Sequence, residues 1–414
     1  MRQLVYRNIS CLITNEGIVK KAGIKPQESD LGIISAAAIA WHPTKGILWA
    51  GKNSSLPKEF KKKSWRHLDC KGLTAYPGLV DAHTHPVFSG DRSREFELRM
   101  QGAGYQAIAE AGGGISNTMQ NTRKSSKASL TKNLLTRLEQ AKKFGVRLLE
   151  AKSGYGLNFD SEIRSLEAIQ LAKTKIRDLE IVSTCLSAHA IPPEYKFSRE
   201  KYITLIKEKI LPTIQKKRLA EYVDVFCDAG YFTVPETLDI IQTAKKLGLH
   251  FRLHGEELAH TGIAEAGSEA GAHSIDHLLK IDQKGIDSMA KFGTTAILLP
   301  ATSFYLKTNP APARALINAG VVVALATDFN PGTSPTQNLP FVGTLAAIEL
   351  GMTSAEIITG LTWAGAKSLR REKKYGATLP GYLGKPSFSE GDHPSALFYK
   401  LAQSDLPDPE IFAL

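Results

Sequence analysis

"GLVDAHTHPVFSGDR", residues 78–92, decides how the rest of the chain is read. A short apolar run behind Pro77 delivers two histidines, His83 and His85, separated only by Thr84. Side chains of an extended segment alternate with a period of two, so both imidazoles leave the strand on one face. Taken alone, an H-x-H pair is more often two ordinary histidines than two ligands. At the mouth of a buried strand it reads as half of a metal site.

Downstream the chain repeats one pattern. "SLTKNLLTRLEQAKKFG" (129–145) is amphipathic, ends in glycine and leads into the apolar run "VRLLEAKSGYG" (146–156). Helical stretches then precede "LEIVSTCLSAHA" (179–190), "YVDVFCDAG" (222–230), "LHFRLHGEE" (249–257), "AHSIDHL" (272–278), "TTAILLP" (294–300) and "VVVALATDFNPG" (321–332). Short strands, apolar on both faces and alternating with helices, mean a parallel sheet. With "GLVDAHTH" as the first strand, the number of units favours a closed (β/α)8 TIM-type barrel, an α/β fold, over about residues 76–365. An open doubly wound sheet usually carries a Gly-rich nucleotide turn after its first strand, and none is present. Upstream, "LVYRNISCLIT" (4–14) and "AAAIAWHPTKGILWAG" (36–51) read as strands around a His-Pro-Thr-Lys-Gly turn.

The strands end in polar residues: His83 and His85, Lys152 and Tyr155, His189, Asp228, His254 and Glu257, His277, Asp328. In a barrel these ends open on one face, which holds the active site. His83, His85, His254 and Asp328 make a three-histidine, one-carboxylate set, which suits zinc, with iron or manganese also compatible. Each residue has a plainer reading. His254 alone is an ordinary half-buried histidine. His277 in "SIDHL" pairs with Asp276 or the backbone, and Asp328 before Asn-Pro-Gly caps a turn. What outweighs these readings is that all fall at strand ends.

Composition narrows the function classes. The 414 residues carry a net charge of +11, but the basic residues are dispersed, and the one dense run, "KEFKKKSWR" (58–66), reads as a solvated loop. No zinc-finger or RNP-like pattern accompanies it, so no nucleic-acid partner is expected. Cys11, Cys70, Cys185 and Cys227 form no C-x-x-C pair, which argues against a thiolate metal site and for buried thiols in a reducing compartment. The N-terminus reads as a strand and not as a signal peptide, and no apolar run is long enough to cross a bilayer. A cytoplasmic protein without a membrane partner is expected.

Longer motifs carry a resemblance. "HTHPVFSGDRSREFELRMQGAGYQAIAEAGGGI" (83–115), "EAKSGYGL" (150–157), "AHAIPPEY" (188–195), "VDVFCDAGYF" (223–232), "HGEEL" (254–258), "DHL" (276–278) and "ATDFNPGTSPT" (326–336) resemble the imidazolonepropionase family of the amidohydrolase superfamily, from about residue 75 to 365. The resemblance implies one metal ion per chain, zinc or iron, held by His83, His85, His254 and Asp328. It implies 4-imidazolone-5-propanoate as substrate, with the ring amide hydrolysed to N-formimino-L-glutamate. Glu257, His277 and Asp328 would serve catalysis. Arg92 would pair with the propanoate, and Tyr105, Tyr155, His189, Glu257, Asn330, Gly332 and Thr333 would contact substrate. Lys152, which in some relatives of the superfamily bridges two metals, has no metal role in this pattern. The resemblance also implies a homodimer, and a small β-sandwich domain built from both termini, residues 1–75 and 366–414. The closing segment lacks the usual Ala-Asp pair at the return to that domain.

Two other readings compete. A cytosine-deaminase-like aminohydrolase would use the same histidines and carboxylates, but a carboxylate-binding Arg92 has little purpose for a neutral base. A non-catalytic basic nucleic-acid-binding protein would show affinity falling steeply with salt.

Overall fold

The N-terminal sequence forms five strands: β1 (Leu4–Ile13), β2 (Ile33–His42), β3 (Gly46–Lys52), β4 (Arg66–Asp69) and β5 (Leu73–Tyr76). The computed structural model describes residues 3–102 and 114–410. β2 and β3 form an antiparallel hairpin closed by the pair His42 and Gly46, so Pro43, Thr44 and Lys45 are its turn. Gly46 adopts φ 73, and a Cβ there would collide with the Tyr382 carbonyl.

Eight further strands follow: β6 (Leu79–Asp81), β7 (Val146–Lys152), β8 (Glu180–Ala188), β9 (Tyr222–Cys227), β10 (His250–Gly255), β11 (Ser274–His277), β12 (Thr295–Leu298) and β13 (Val323–Leu325). Each pairs in parallel with the next, in chain order. The barrel closes just beyond the ends of β13 and β6. There Asp328 N–H donates to the His83 carbonyl (3.0 Å) and His85 N–H to the Phe329 carbonyl (2.9 Å), around a parallel bridge between Thr84 and Phe329. A last strand, β14 (Ser387–Glu390), returns to pair with β5 and completes the terminal sheet, β14-β5-β1-β2-β3 with β4 beside β1. Tyr6, Leu12, Ile39, Trp41, Leu68 and Phe388 pack together as that sheet's core.

The helices outside the barrel follow from local signals. Lys127–Lys143 begins at Ser126, whose hydroxyl accepts the Ser129 N–H. It buries Leu130, Leu134, Leu138 and Ala141, one stripe at helical spacing. Val234–Lys246 opens with a reciprocal Thr233–Glu236 capping box. The stretch 202–217 is helical but passes through a π turn, Ile206–Ile210, just before Pro212, which lacks the N–H that an uninterrupted α-helix would use. Among the described residues, no helix is long and apolar enough to cross a membrane.

The barrel interior has two layers. Val80, Leu148, Val182, Tyr222, Ile297 and Ala324 form an apolar floor. Above it the inward positions are ionic, which corrects the reading of these strands as apolar on both faces. Glu150 and Lys152 follow Leu148 at every second residue of β7, Asp224 follows Tyr222 on β9, and Arg252 precedes His254 on β10. Beyond β14 the chain lies against the barrel's helices. Thr344 donates its hydroxyl to the Phe398 carbonyl (2.6 Å), and Leu406 N–H donates to the Lys143 carbonyl (2.9 Å).

Candidate metal centre and active site

The four residues singled out as ligands converge at the barrel mouth. His83 Nε2 lies 3.1 Å from His85 Nε2, which lies 3.3 Å from His254 Nε2. Asp328 Oδ1 lies 3.4 Å from His83 Nε2 and 3.3 Å from His85 Nε2. Carboxylates take the other ring nitrogens: Asp276 Oδ2 faces His83 Nδ1 at 2.6 Å, and Asp224 Oδ1 faces His254 Nδ1 at 3.0 Å. In His83 and His254 the Nδ1–H therefore donates outward, and Nε2 turns its lone pair to the centre. Burial first, then the Lys152 ammonium, hold His83 and His254 well below the usual imidazole range, so both rings are neutral.

These donors fit a cation. Neutral imidazole lone pairs and a carboxylate oxygen facing one another repel unless a positive charge sits among them. Ligand bonds of about 2.0–2.1 Å in a tetrahedron give donor–donor edges of about 3.3–3.4 Å, close to the separations found. His277 also offers a nitrogen within 4.8 Å of ligand atoms of His83 and Asp328, so it borders the same point. Asp328 Oδ2 accepts the Thr302 hydroxyl (2.7 Å), which leaves Oδ1 toward the histidines. Backbone strain concentrates here: Glu256, His277, Leu278 and Asp328 all adopt positive φ, between 50 and 78°.

A cavity of about 390 Å³ opens above the centre, lined by His85, Arg92, Tyr155, His189, His254, Glu257, His277, Asp328, Asn330 and Thr333 among others. Glu257 Oε1 lies 3.7 Å from His277 Nδ1, and burial raises its carboxyl pKa. His189 stacks on His85, with ring centroids 5.3 Å apart, and its Nδ1–H donates to the Gly154 carbonyl (3.0 Å). Burial, then His85, push it down to about 3. Arg92 pairs with Glu95 through Nε (2.8 Å), and its guanidinium lies against Gly332, where any Cβ would collide with it. Asn330 lines the cavity, but its amide is engaged within the loop: Oδ1 accepts Gly332 and Thr333 N–H (both 2.8 Å), and Nδ2 donates to the Asp328 carbonyl (2.7 Å). Tyr105 lies outside the described residues.

Several residues that build the site carried no signal in sequence. Glu162 Oε1 accepts Gly156 and Leu157 N–H (2.7 and 3.0 Å) and so holds the loop bearing Tyr155. Arg137 donates to the Pro86 and Phe88 carbonyls (2.7 and 2.8 Å) and stacks on Phe88, fixing the turn after His85. Lys152 reaches no ligand position; it pairs with Glu150 (2.8 Å) and Asp224 (2.6 Å) beneath the centre.

Comparison with known proteins agrees with this geometry. Residues 74–384 match the amidohydrolase family. The chain is 44% identical over 379 residues to an imidazolonepropionase from Bdellovibrio bacteriovorus, covering 91% of this chain and 88% of the relative. It is 41% identical over 384 residues to one from Geobacillus kaustophilus, covering 92% and 90%. Among solved structures, a triazine hydrolase variant superposes with a TM-score of 0.75 at 16% identity, over 98% of this chain and 92% of that one. An adenosine deaminase from Xanthomonas campestris with bound zinc gives 0.66 at 13% identity, over 98% and 94%. These two share the fold with this chain. On sequence, the chain belongs to the amidohydrolase family of metal-dependent hydrolases, among the imidazolonepropionases.

Proposed function

We propose that this protein hydrolyses the ring amide of 4-imidazolone-5-propanoate to N-formimino-L-glutamate. The observation that carries the reading is one cavity with the His83, His85, His254 and Asp328 cluster at its floor and Arg92 at its wall. A small ring bearing a carboxylate tail needs both, and family membership supports the pairing.

A divalent ion, zinc by ligand type, held by Nε2 of His83, His85 and His254 and by Asp328, would bring the pKa of water from 15.7 toward ~7 and polarise the ring carbonyl. Asp328 stays ionised. Burial raises the Glu257 carboxyl above the usual glutamate range, which strengthens it as a proton acceptor. Its carboxylate takes the proton as water's oxygen bonds to the ring carbonyl carbon. It returns that proton to the ring nitrogen as the C–N bond breaks. His277, on the same wall, donates a ring N–H to the carbonyl oxygen as negative charge gathers there. Arg92 grips the propanoate through its Nη groups, while Tyr155, His189 and the Asn330–Thr333 loop shape the space for the ring.

The pairing of β14 with β5 supports a division into a catalytic barrel, 76–365, and a composite β domain, 1–75 with 366–414. Four buried, unpaired cysteines support a reducing compartment, the cytoplasm. Family resemblance supports a homodimer, which light scattering tests. The deciding assay follows loss of the substrate's ultraviolet absorbance and formation of formiminoglutamate by mass. Asp328→Ala and a chelated sample run beside it. Turnover abolished in both controls establishes the activity; no turnover by metal-loaded protein discards this substrate.

A further inference from the structure

Beneath the metal centre five charged side chains form one chain of alternating sign. Asp224 Oδ2 meets Lys152 Nζ at 2.6 Å, and Lys152 Nζ meets Glu150 Oε2 at 2.8 Å. Glu150 Oε1 then meets Arg252 Nη1 at 2.8 Å, and Arg252 Nη2 meets Asp276 Oδ2 at 3.2 Å. All five are fully buried. Both ends are carboxylates, and each end holds one metal-facing histidine: Asp224 holds His254, and Asp276 holds His83.

Stability does not explain this chain. Desolvating five charges can cost more than their pairing returns, and an apolar filling of equal volume is often no worse. Substrate contact does not explain it either, because neither Lys152 nor Arg252 lines the cavity. What the chain does is fix angles. A carboxylate free to rotate would let its imidazole swing, whereas Lys152 and Arg252 each pin one carboxylate against the shared Glu150. Glu150 is itself fixed, since its Oε1 accepts the Thr184 hydroxyl (2.6 Å) and its carbonyl accepts the Thr84 hydroxyl. Thr84 stands between His83 and His85, so the same residue ties the centre of the chain to the ligand strand.

We propose that Lys152 and Arg252 are positioning residues of the metal centre, which through Asp224 and Asp276 lock His254 and His83 into one rigid ligand pair. The inference rests on the reading of the four-residue cluster as a metal site. It is distinct from any ligand role for Lys152, whose ammonium is enclosed by the two carboxylates.

The test is the ion's dissociation constant in the full chain, by competition with a chromophoric chelator, for wild type, K152M and K152Q. The visible spectra of the cobalt-loaded proteins are recorded alongside. Gln keeps a donor toward Asp224, and Met keeps none. Outer partners of metal ligands typically contribute 10–100-fold in affinity. K152M should therefore bind about 10–100-fold more weakly with an altered cobalt spectrum, and K152Q should stay within about 3-fold of wild type. If K152M does not fold, Asp224→Asn, which sets an amide N–H against Lys152, should show the same weakening. Equal or tighter binding by K152M, or by Asp224→Asn in its place, overturns the proposal. Tighter binding would mean that Lys152 acts only as a repelling charge. Equal losses in K152M and K152Q overturn it too. Wild type that takes up no ion overturns the metal centre itself, whereas wild type that binds beside unaltered variants overturns this inference alone.

Discussion

The carboxylate of Asp228, at the end of β9, accepts the backbone N–H of Glu257, just beyond β10, at 2.7 Å. It also accepts N–H groups from Leu258 and Ala259 (both 3.0 Å) and from Ala229 (2.7 Å). One buried side chain thus sets the path of the loop that carries Glu257. Asp228→Ala should lower kcat by about 10–100-fold through misplacement of Glu257, since small displacements of a catalytic group cost on that order. Metal content should be unchanged. Steady-state kinetics with metal analysis checks both, and a variant that loses its ion instead would place Asp228 in the metal's support.

Glu257 itself should govern the acid limb of the pH profile. Burial lifts its carboxyl above the ordinary glutamate range, and the His277 ring partly offsets this. The reaction needs the carboxylate form to accept water's proton, so kcat should fall as pH drops through that raised value. Glu257→Gln should cost about 10²–10⁴ in kcat and flatten the limb. A limb that persists unchanged in the variant belongs to another group.

Gly332 and Arg92 give a steric test of the carboxylate grip. Any Cβ at position 332 runs into the Arg92 guanidinium. Gly332→Ala should therefore push Arg92 aside and lower kcat/KM for a propanoate substrate by about 10–100-fold, the range for losing a charge-assisted hydrogen bond. Metal binding should be spared. Arg92→Ala should lose at least as much, and the double variant little more than either. Additive losses would separate the two residues.

At the opposite end of the barrel, His273 faces His250 (3.3 Å), with Arg370, Arg252 and Lys367 nearby. Burial, then these neighbours, lower its pKa from 6.5 to about 4. In the fold it stays neutral where the unfolded chain takes up a proton. Its contribution to stability is therefore complete above about pH 6.5 and is lost as pH falls through about 4. Urea unfolding midpoints between pH 7 and 4.5 should fall less steeply for His273→Gln than for wild type. Parallel curves would remove His273 from the acid sensitivity.

The barrel and the four-residue cluster at its mouth were legible because their signals are local. Most of the strands announce themselves by an apolar run after a helix-ending glycine, as at Gly145 before Val146, and a strand's last polar residue marks the active face. His83, His85, His254 and Asp328 each stand at such an end. The supporting groups were illegible for the opposite reason. Asp276 is 193 residues from the histidine it orients, and Glu150, Asp224 and Arg252 sit inside strands whose neighbours are apolar. A charged residue there has no meaning until the partner strands are placed. Asp228 was visible as a strand end, yet nothing in its surroundings distinguished a cavity-facing carboxylate from one wholly engaged by backbone N–H groups. Asn330 was visible as well, but its local role in shaping a turn is what Asn before Pro-Gly ordinarily does.

The seam where β6 meets the end of β13 joins residues that are about 245 positions apart in the chain. Asp328 donates its N–H to the carbonyl of His83, so a ligand and its neighbour are held by the very hydrogen bonds that shut the barrel. Closing a loop of that length costs chain entropy that the contacts of the seam must offset. Opening β6 from β13 would take Asp328 away from His83 and His85, so the four-residue cluster is complete only in a closed barrel, and the state of the cluster reports on the seam.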